Sequence, residues 1–432
     1  MKFDKDFLWG VATSSAQIEG AVQEDGRTFS IWDSLVDKRI ANGENCSVAC
    51  DHYHHYVEDI ALMKEIGVKC YRFSISWSRI IPKNNGKINK KGVAFYANIL
   101  NELKKNGIEP MITLFHWDLP MWVYEDGGYL SDSFVDYFLD YVKIVVKEFS
   151  PFVKYWITFN EPQCFVGTGC YYGWHAPFIK VGDEKIGEIT RNVMLAHGRA
   201  VKYLRENAAL TPKIGFAPTA SVHIPLNDTE EEIKKAYNKT FDISSGVIGA
   251  VWWSDPIVAG IIPNGIKFIT EEDVKIIHQP LDFYAFNIYQ PENSNEVKYQ
   301  GMPRNSLNWI IEPKCLYWAC KFYFRRYKLP ILVSENGMPN LDYVYDDNKV
   351  HDPQRIYYIE KHLEQLKKAV EDNISVMGYL YWSFMDNFEW TFGYDPRFGL
   401  VYIDYETQQR ILKDSAFFYK EVIKSNGEIK KY

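Results

Sequence analysis

The sequence has no run approaching the ~18 consecutive apolar residues of a membrane span. Its opening, Met1-Lys2-Phe3-Asp4-Lys5-Asp6-Phe7, is charged where a secretory signal peptide needs an apolar stretch. It has no basic run either: Lys plus Arg is 49 against 56 Asp plus Glu, a formal net charge of −7. These absences argue against export, membrane insertion and partnership with nucleic acid or an anionic membrane surface. Cysteine is sparse, seven residues at 46, 50, 70, 164, 170, 315 and 320, an odd number with no CxxC pair. The expectation is reduced, mostly buried thiols in a cytoplasmic protein. No Gly/Ser-rich or Pro-rich linker divides the chain, so residues 1–432 are read as one domain.

What is abundant is aromatic: 30 Tyr, 26 Phe and 13 Trp, 16% of the chain. Part of that surplus must be core, and part can form platforms for flat, hydroxylated ligands. Short, nearly continuous apolar runs alternate with helical patterns. The runs end in Gly10-Val11-Ala12-Thr13, Tyr71–Ile75, Met111–Phe115, Tyr155–Phe159, Lys213–Ala217, Leu281–Phe286, Pro330–Ser334 and Met377–Trp382. Such runs read as buried parallel strands. Apolar residues at i, i+3, i+4 spacing predict helices over 53–66, 90–106, 131–148, 186–207, 230–250, 313–327, 353–371 and 414–424. Eight strand–helix units predict the α/β class, as a single (β/α)8 TIM barrel. An open, doubly wound sheet is the alternative, but no Gly-rich phosphate turn follows the first strand.

In such a barrel chemistry sits where strands run into the following loops. Those positions are polar and aromatic: Gln17 and Glu19, Ser76 and Trp77, His116-Trp117-Asp118, Asn160-Glu161, Asn287 and Tyr289, Glu335-Asn336, and Trp382 with Asp386. Segments 162–185, 288–312 and 383–400 read as long loops that wall a pocket on that C-terminal face. Two carboxylates stand out, Glu161 after the fourth strand and Glu335 after the seventh, on opposite sides of the mouth. A facing carboxylate pair is the equipment for glycosidic bond cleavage. The plainer alternative makes each a helix cap or an arginine partner.

The blocks around these residues resemble family 1 glycoside hydrolases, the β-glucosidases and their relatives. Thr158-Phe159-Asn160-Glu161-Pro162 is similar to the family's acid/base motif, and Ser334-Glu335-Asn336-Gly337 to its nucleophile motif. Phe7-Leu8-Trp9-Gly10 through Gly20, Tyr71–Ile80, His116-Trp117-Asp118-Leu119-Pro120 and Trp382–Trp390 match further signatures in family order. The departures are Ser334 where Thr is more frequent, Ile288 where Tyr is more usual, and an individual segment 162–180 with Gln163, Cys164 and Phe178. The last bears on leaving-group preference.

The resemblance implies a retaining double displacement, with Glu335 as nucleophile and Glu161 as acid/base, and the two carboxyls set to different pKa values. It implies that Arg72 and Tyr289 support Glu335. It implies a substrate-binding set of Gln17, His116, Trp117, Asn160, Asn287, Trp309, Trp382, Glu389, Trp390 and Phe398. Within that set Asn160 would hold the sugar 2-OH, Trp382 would floor the ring, and Trp309 would wall the leaving-group site. The implied partner is a small-molecule β-glycoside, and no cofactor or metal is implied. Cys50-Asp51-His52-Tyr53-His54-His55 resembles a metal cluster only superficially, because 52, 54 and 55 cannot share one helical face. Assembly into a homo-oligomer stays open. Two other functions compete. A 6-phospho-β-glucosidase would need basic and hydroxyl groups where this chain has Glu389 and Trp390. A catalytically inactive sugar-binding barrel would need Glu161 or Glu335 to be lost, and both are present.

Overall fold

The computed structural model describes residues 3–35 and 39–428. Lys2 of the charged opening, and both ends of the 1–432 span, lie outside the described residues. Eight parallel strands follow in chain order: β1 (Leu8–Ala12), β2 (Cys70–Ser74), β3 (Glu109–Phe115) and β4 (Tyr155–Asn160). Then come β5 (Lys213–Ala217), β6 (Phe283–Asn287), β7 (Ile331–Asn336) and β8 (Val376–Trp382). Each pairs with the next, and β8 pairs back onto β1, Leu8 opposite Gly378 through Ala12 opposite Trp382. The expected (β/α)8 barrel is therefore closed.

The strands form where the sequence is short, apolar and flanked by helices. Every residue of β2, β6 and β7 is buried, as a sheet covered on both faces requires. Side chains divide into two cores. Ala12, Cys70, Met111, Ile157, Ala217 and Leu332 belong to a cluster inside the barrel. A larger cluster joins the outward-facing strand residues to the helices. Among the described residues no helix is long and apolar enough to cross a membrane.

Most expected helices form close to their predicted limits, as in Lys90–Asn106 and Pro353–Glu371. The helix predicted over 230–250 stops at Thr240. Gly246, at φ 60° and ψ −144°, breaks the path before a separate turn, Ala250–Ser254. Apolar spacing carries on across that break, so periodicity alone could not place it. Glu271–Ile277 is an additional helix, opened by a capping box between Thr270 and Asp273. The segment 162–185 is not simply a loop: Gln163–Tyr171 winds as a π-helix directly after Glu161.

Beyond β8 a small antiparallel pair, β9 (Val401–Ile403) and β10 (Arg410–Leu412), leads to the last helix, Asp414–Lys424. Lys413 precedes that helix and is wholly buried. Its Nζ donates to Asp342 Oδ2 and to Asp386 Oδ1, both at 2.6 Å. Arg397 donates to the other oxygen of Asp386 at 2.8 Å, and Arg355 donates to Asp342 at 2.7 Å. Burial raises the Asp342 carboxyl, yet Arg355 and Lys413 hold it down at about 2. This network anchors the 383–400 segment, which carries Glu389 and Trp390. Removing one partner of a buried pair strands the other charge. Lys413→Met should therefore cost about 3–5 kcal/mol of stability, read as a lowered urea midpoint; an unchanged midpoint would show that the network carries no such load.

Candidate active site

The ends of β4 and β7 do not obey simple alternation, and that irregularity sets which side chains enter the mouth. From the inward Ile157, strict alternation would put Phe159 inside and Asn160 outside. The pairing of β4 with β5 shifts between Ile157 and Asn160. Phe159 accordingly packs outward on Phe138, with ring centroids 4.6 Å apart, and Asn160 turns inward to Arg72. On β7 the pairing with β8 shifts between Val333 and Asn336. Ser334 and Glu335 then both face the site, while Asn336 donates outward to Ile288 O and to Tyr358 of the helix Pro353–Glu371. Bulges commonly re-aim side chains beside active sites.

Glu335 is held at both carboxylate oxygens. Arg72 Nη1 donates to Oε1 at 2.7 Å, and Tyr289 Oη donates to Oε2 at 2.6 Å. Arg72 is itself fixed, donating through Nε to Thr113 Oγ1 at 2.9 Å and through Nη2 to Asn160 Oδ1 at 2.6 Å. Burial pushes the Glu335 carboxyl up, and Arg72, then Tyr289, opposes that push.

Glu161 follows with its backbone in the left-handed region, φ 45°. Its N–H donates to Ala217 O at 2.8 Å. Its Oε1 accepts from Asn287 Nδ2 at 2.8 Å, and Cys164 Sγ lies 3.2 Å from Oε2. Asn287 also donates to Asn160 at 2.9 Å and accepts from Ser334 Oγ at 2.7 Å, so one amide links both carboxylate-bearing strands. No cation touches Glu161 directly among the described residues. Burial and then the charge of Glu335 push its carboxyl up to about 7.

The remaining residues of the expected set gather around this pair. Gln17 Nε2 donates to Asn387 Oδ1 at 3.0 Å, to Phe388 O at 2.9 Å and to Glu389 Oε2 at 3.3 Å. Burial and the charges of Glu335 and Glu161 push the Glu389 carboxyl up to about 8. Trp390 stacks on Trp117 at 4.5 Å, and His116 stacks on Trp382 at 5.9 Å. His116 Nε2 lies 3.0 Å from Asn160 Nδ2, and its Nδ1 has no protein partner. Burial and the nearby Arg72 keep this imidazole neutral, well below its usual range. Tyr289, Trp309 and Phe398 form a wall, with centroids 5.7–6.2 Å apart. Trp117 and Trp390 share positive φ with Glu161, at 75° and 51°. Such strain concentrates at functional sites.

Sequence reasoning missed several supports. Thr113 lies two residues past the inward Met111, so strand alternation could have singled it out. The roles of Ser334 Oγ on Asn287 and of Asn387 on Gln17 had no sequence signal. Among the histidines of the 50–55 segment, His52 pairs with Asp59, His54 with Asp51 and Glu24, and His55 with Glu58 and, at 3.6 Å, with Asp51. The two buried carboxyls should titrate as a linked pair. In Glu335→Gln the neighbouring charge is gone, so the Glu161 carboxyl should titrate lower than about 7, toward the ordinary ~4.3. Carboxyl-resolved NMR or infrared titration checks this, and an unmoved midpoint would mean that the two groups do not interact.

The comparisons with known proteins agree with this geometry. The family model described as glycosyl hydrolase family 1 matches residues 1–428. β-Glucosidase A of Acetivibrio thermocellus is 42% identical, across 98% of this chain and 99% of its own. An aryl-phospho-β-D-glucosidase of Bacillus subtilis is 32% identical, across 99% of this chain and 98% of its own. The solved family 1 β-glucosidase of Thermotoga maritima superposes with a TM-score of 0.90 at 36% identity, covering 99% of both chains. With its signature blocks at the strand ends of a closed barrel, the chain belongs to glycosyl hydrolase family 1.

Proposed function

We propose that the chain acts as one catalytic unit, a retaining β-glucosidase that releases terminal, unphosphorylated β-D-glucosyl residues by double displacement. The observation that carries the assignment is the asymmetry of the two carboxyls. Glu335 has a guanidinium and a phenol on its two oxygens, whereas Glu161 has only an amide and a thiol. The first is suited to attack as an anion. The second, pushed up to about 7, is suited to carry a proton.

Glu335 then attacks the anomeric carbon while Glu161 protonates the departing glycosidic oxygen, so the bond between that carbon and that oxygen breaks. The new ester neutralises Glu335 and lifts its charge from Glu161. The Glu161 carboxylate then accepts a proton from the incoming water, which displaces Glu335 and restores both groups. Activity on unactivated glucosides should fall as pH rises through about 7, where Glu161 loses its proton. Asn160 takes the 2-OH, Trp382 floors the ring, and Gln17, His116, Trp117, Glu389 and Trp390 grip the other glucosyl hydroxyls. Asn287 holds Glu161 in place, and Trp309 and Phe398 wall the leaving-group side.

The seven unpaired cysteines fit a reducing compartment, and we place the protein in the cytoplasm. A net charge of −7 fits a small neutral substrate better than nucleic acid.

A 2-deoxy-2-fluoroglucoside with an activated leaving group should trap a glycosyl-enzyme, and peptide mapping should find the sugar on Glu335. A label on any other residue would overturn the assignment.

The phosphorylated alternative fails on charge. Burial with two neighbouring carboxylates already raises Glu389 to about 8. A 6-phosphate would bring nearly two negative charges into a pocket that already disfavours the single charge of Glu389 and holds the carboxylate of Glu335. No Lys or Arg lies in 383–396; Arg397, the next cation along the chain, is committed to Asp386, and Arg72 to Glu335. Like charges in a desolvated pocket repel by several kcal/mol. p-Nitrophenyl-β-glucoside should therefore exceed its 6-phosphate in kcat/KM by more than ~10³-fold, and equal rates would favour the phospho-glucosidase reading instead.

A further inference from the structure

We infer that Ser334 is a positioning residue for proton transfer: its hydroxyl, acting through Asn287, steadies the acid/base Glu161 from the strand that carries the nucleophile. This rests on the β-glucosidase reading and adds a residue which that reading does not use.

Asn287 ends β6, where the pairing with β7 shifts, so Asn287 lies opposite Glu335. Its backbone is fixed from the other side. Its N–H donates to Pro218 O at 3.1 Å, and its carbonyl accepts from Ala220 N–H at 2.9 Å. Neither bond fixes the side chain. The amide can still turn about its own bonds, and only what its two ends meet can stop it.

The Nδ2 end donates to Asn160 Oδ1 at 2.9 Å and to Glu161 Oε1 at 2.8 Å. The Oδ1 end accepts from Ser334 Oγ at 2.7 Å. Asn160 Oδ1 also accepts from Arg72 Nη2, a group that can only donate. That contact makes Asn160 present an oxygen, so Asn287 must answer with its nitrogen. A turned amide would set its own oxygen against the Asn160 oxygen and the Glu161 carboxyl. The Ser334 hydroxyl secures the far end, and among the described residues no other group donates to Asn287 Oδ1.

Burial gives this contact its weight. Ser334 has no exposed surface and Asn287 has 1%. Deleting the hydroxyl would leave Asn287 Oδ1 unpaired, and the gap of one oxygen atom is too small to admit a water. The amide would swing to relieve that oxygen and take Nδ2 away from Glu161. Glu161 would then keep only the Cys164 thiol at 3.2 Å, a weak donor.

The nucleophile is held by other groups. The backbone carbonyl of Ser334, not its side chain, accepts from Arg72 Nη1 at 3.1 Å. Arg72 and Tyr289 occupy the two oxygens of Glu335, and both ease its charge more than Asn287 does. A change at the Ser334 hydroxyl is therefore felt more at Glu161, on another strand, than at Glu335, the next residue in the chain.

The test compares octyl-β-glucoside, whose leaving group needs a proton, with dinitrophenyl-β-glucoside, whose leaving group does not. kcat/KM is measured on both for the full chain and for Ser334→Ala, Ser334→Cys and Ser334→Thr. The ratio of the two within one preparation does not depend on how much of it has folded. In Ser334→Ala the octyl-to-dinitrophenyl ratio should fall about ten-fold, within reach of one lost buried hydrogen bond. Ser334→Cys keeps the size with a weaker donor and should lower the ratio by a smaller factor. Ser334→Thr keeps the hydroxyl and should return the ratio to near its wild-type value. A ratio unmoved in both Ser334→Ala and Ser334→Cys, with the two substrates losing equally, would overturn this inference alone, as would a Ser334→Thr ratio as low as that of Ser334→Ala. A wild type that cleaves neither glucoside would overturn the β-glucosidase reading and this inference with it.

Discussion

The guanidinium of Arg72 has no access to water. A buried cation is tolerable only when its charge is neutralised and its donors are satisfied, since an unpaired one costs several kcal/mol. Arg72 meets that demand by reaching across the barrel mouth. From β2 it contacts Thr113 on β3, Asn160 on β4, and both Ser334 O and Glu335 on β7. Four strands are therefore locked in one relative position by one side chain. The position of Glu335 follows from that lock, and so does the state of Glu161. Asn160, which Arg72 holds, shares its carbonyl oxygen with Asn287, and Asn287 in turn steadies Glu161.

The same enclosure divides the two carboxyls. Water is excluded by tryptophans, His116 and the strand ends, which raises the cost of every charge inside. Arg72 and Tyr289 oppose that cost at Glu335 without cancelling it, so its carboxyl still lies above the usual range. At Glu161 and Glu389 nothing offsets it fully, so both carboxyls move up toward neutrality. One guanidinium placed on one side thus distinguishes two glutamates that burial alone would treat alike.

Support for the site comes from far along the chain. The segment bearing Glu389 and Trp390 is tied through Asp386 to Lys413 and Arg397, and through Lys413 to Asp342 and Arg355. These groups are nearly or wholly buried ions, each with an opposite charge in contact. They link the loops after β7 and β8 to the start of the last helix, so the aromatic wall and the closure of the barrel share one scaffold.

The barrel and its chemistry were legible in the sequence because buried parallel strands leave short, continuous apolar runs. Glu161, Glu335, Arg72 and Tyr289 each sit just at or after such a run. The signature blocks around them carried the family. What the sequence could not give was the direction of those side chains. Alternation from Ile157 or Leu332 would have sent Asn160 and Glu335 outward; shifts in strand pairing turn them in. Such shifts depend on both neighbouring strands at once and leave no mark in either alone. The π-helix after Glu161 and the break at Gly246 were hidden for a related reason. Local apolar spacing is compatible with helix, turn or loop, and which one forms is decided by the elements packed around it. Composition and spacing determined the class of fold and the residue types at its mouth. Only the closed barrel decided which of those residues touch, because their contacts join strands hundreds of residues apart in the chain.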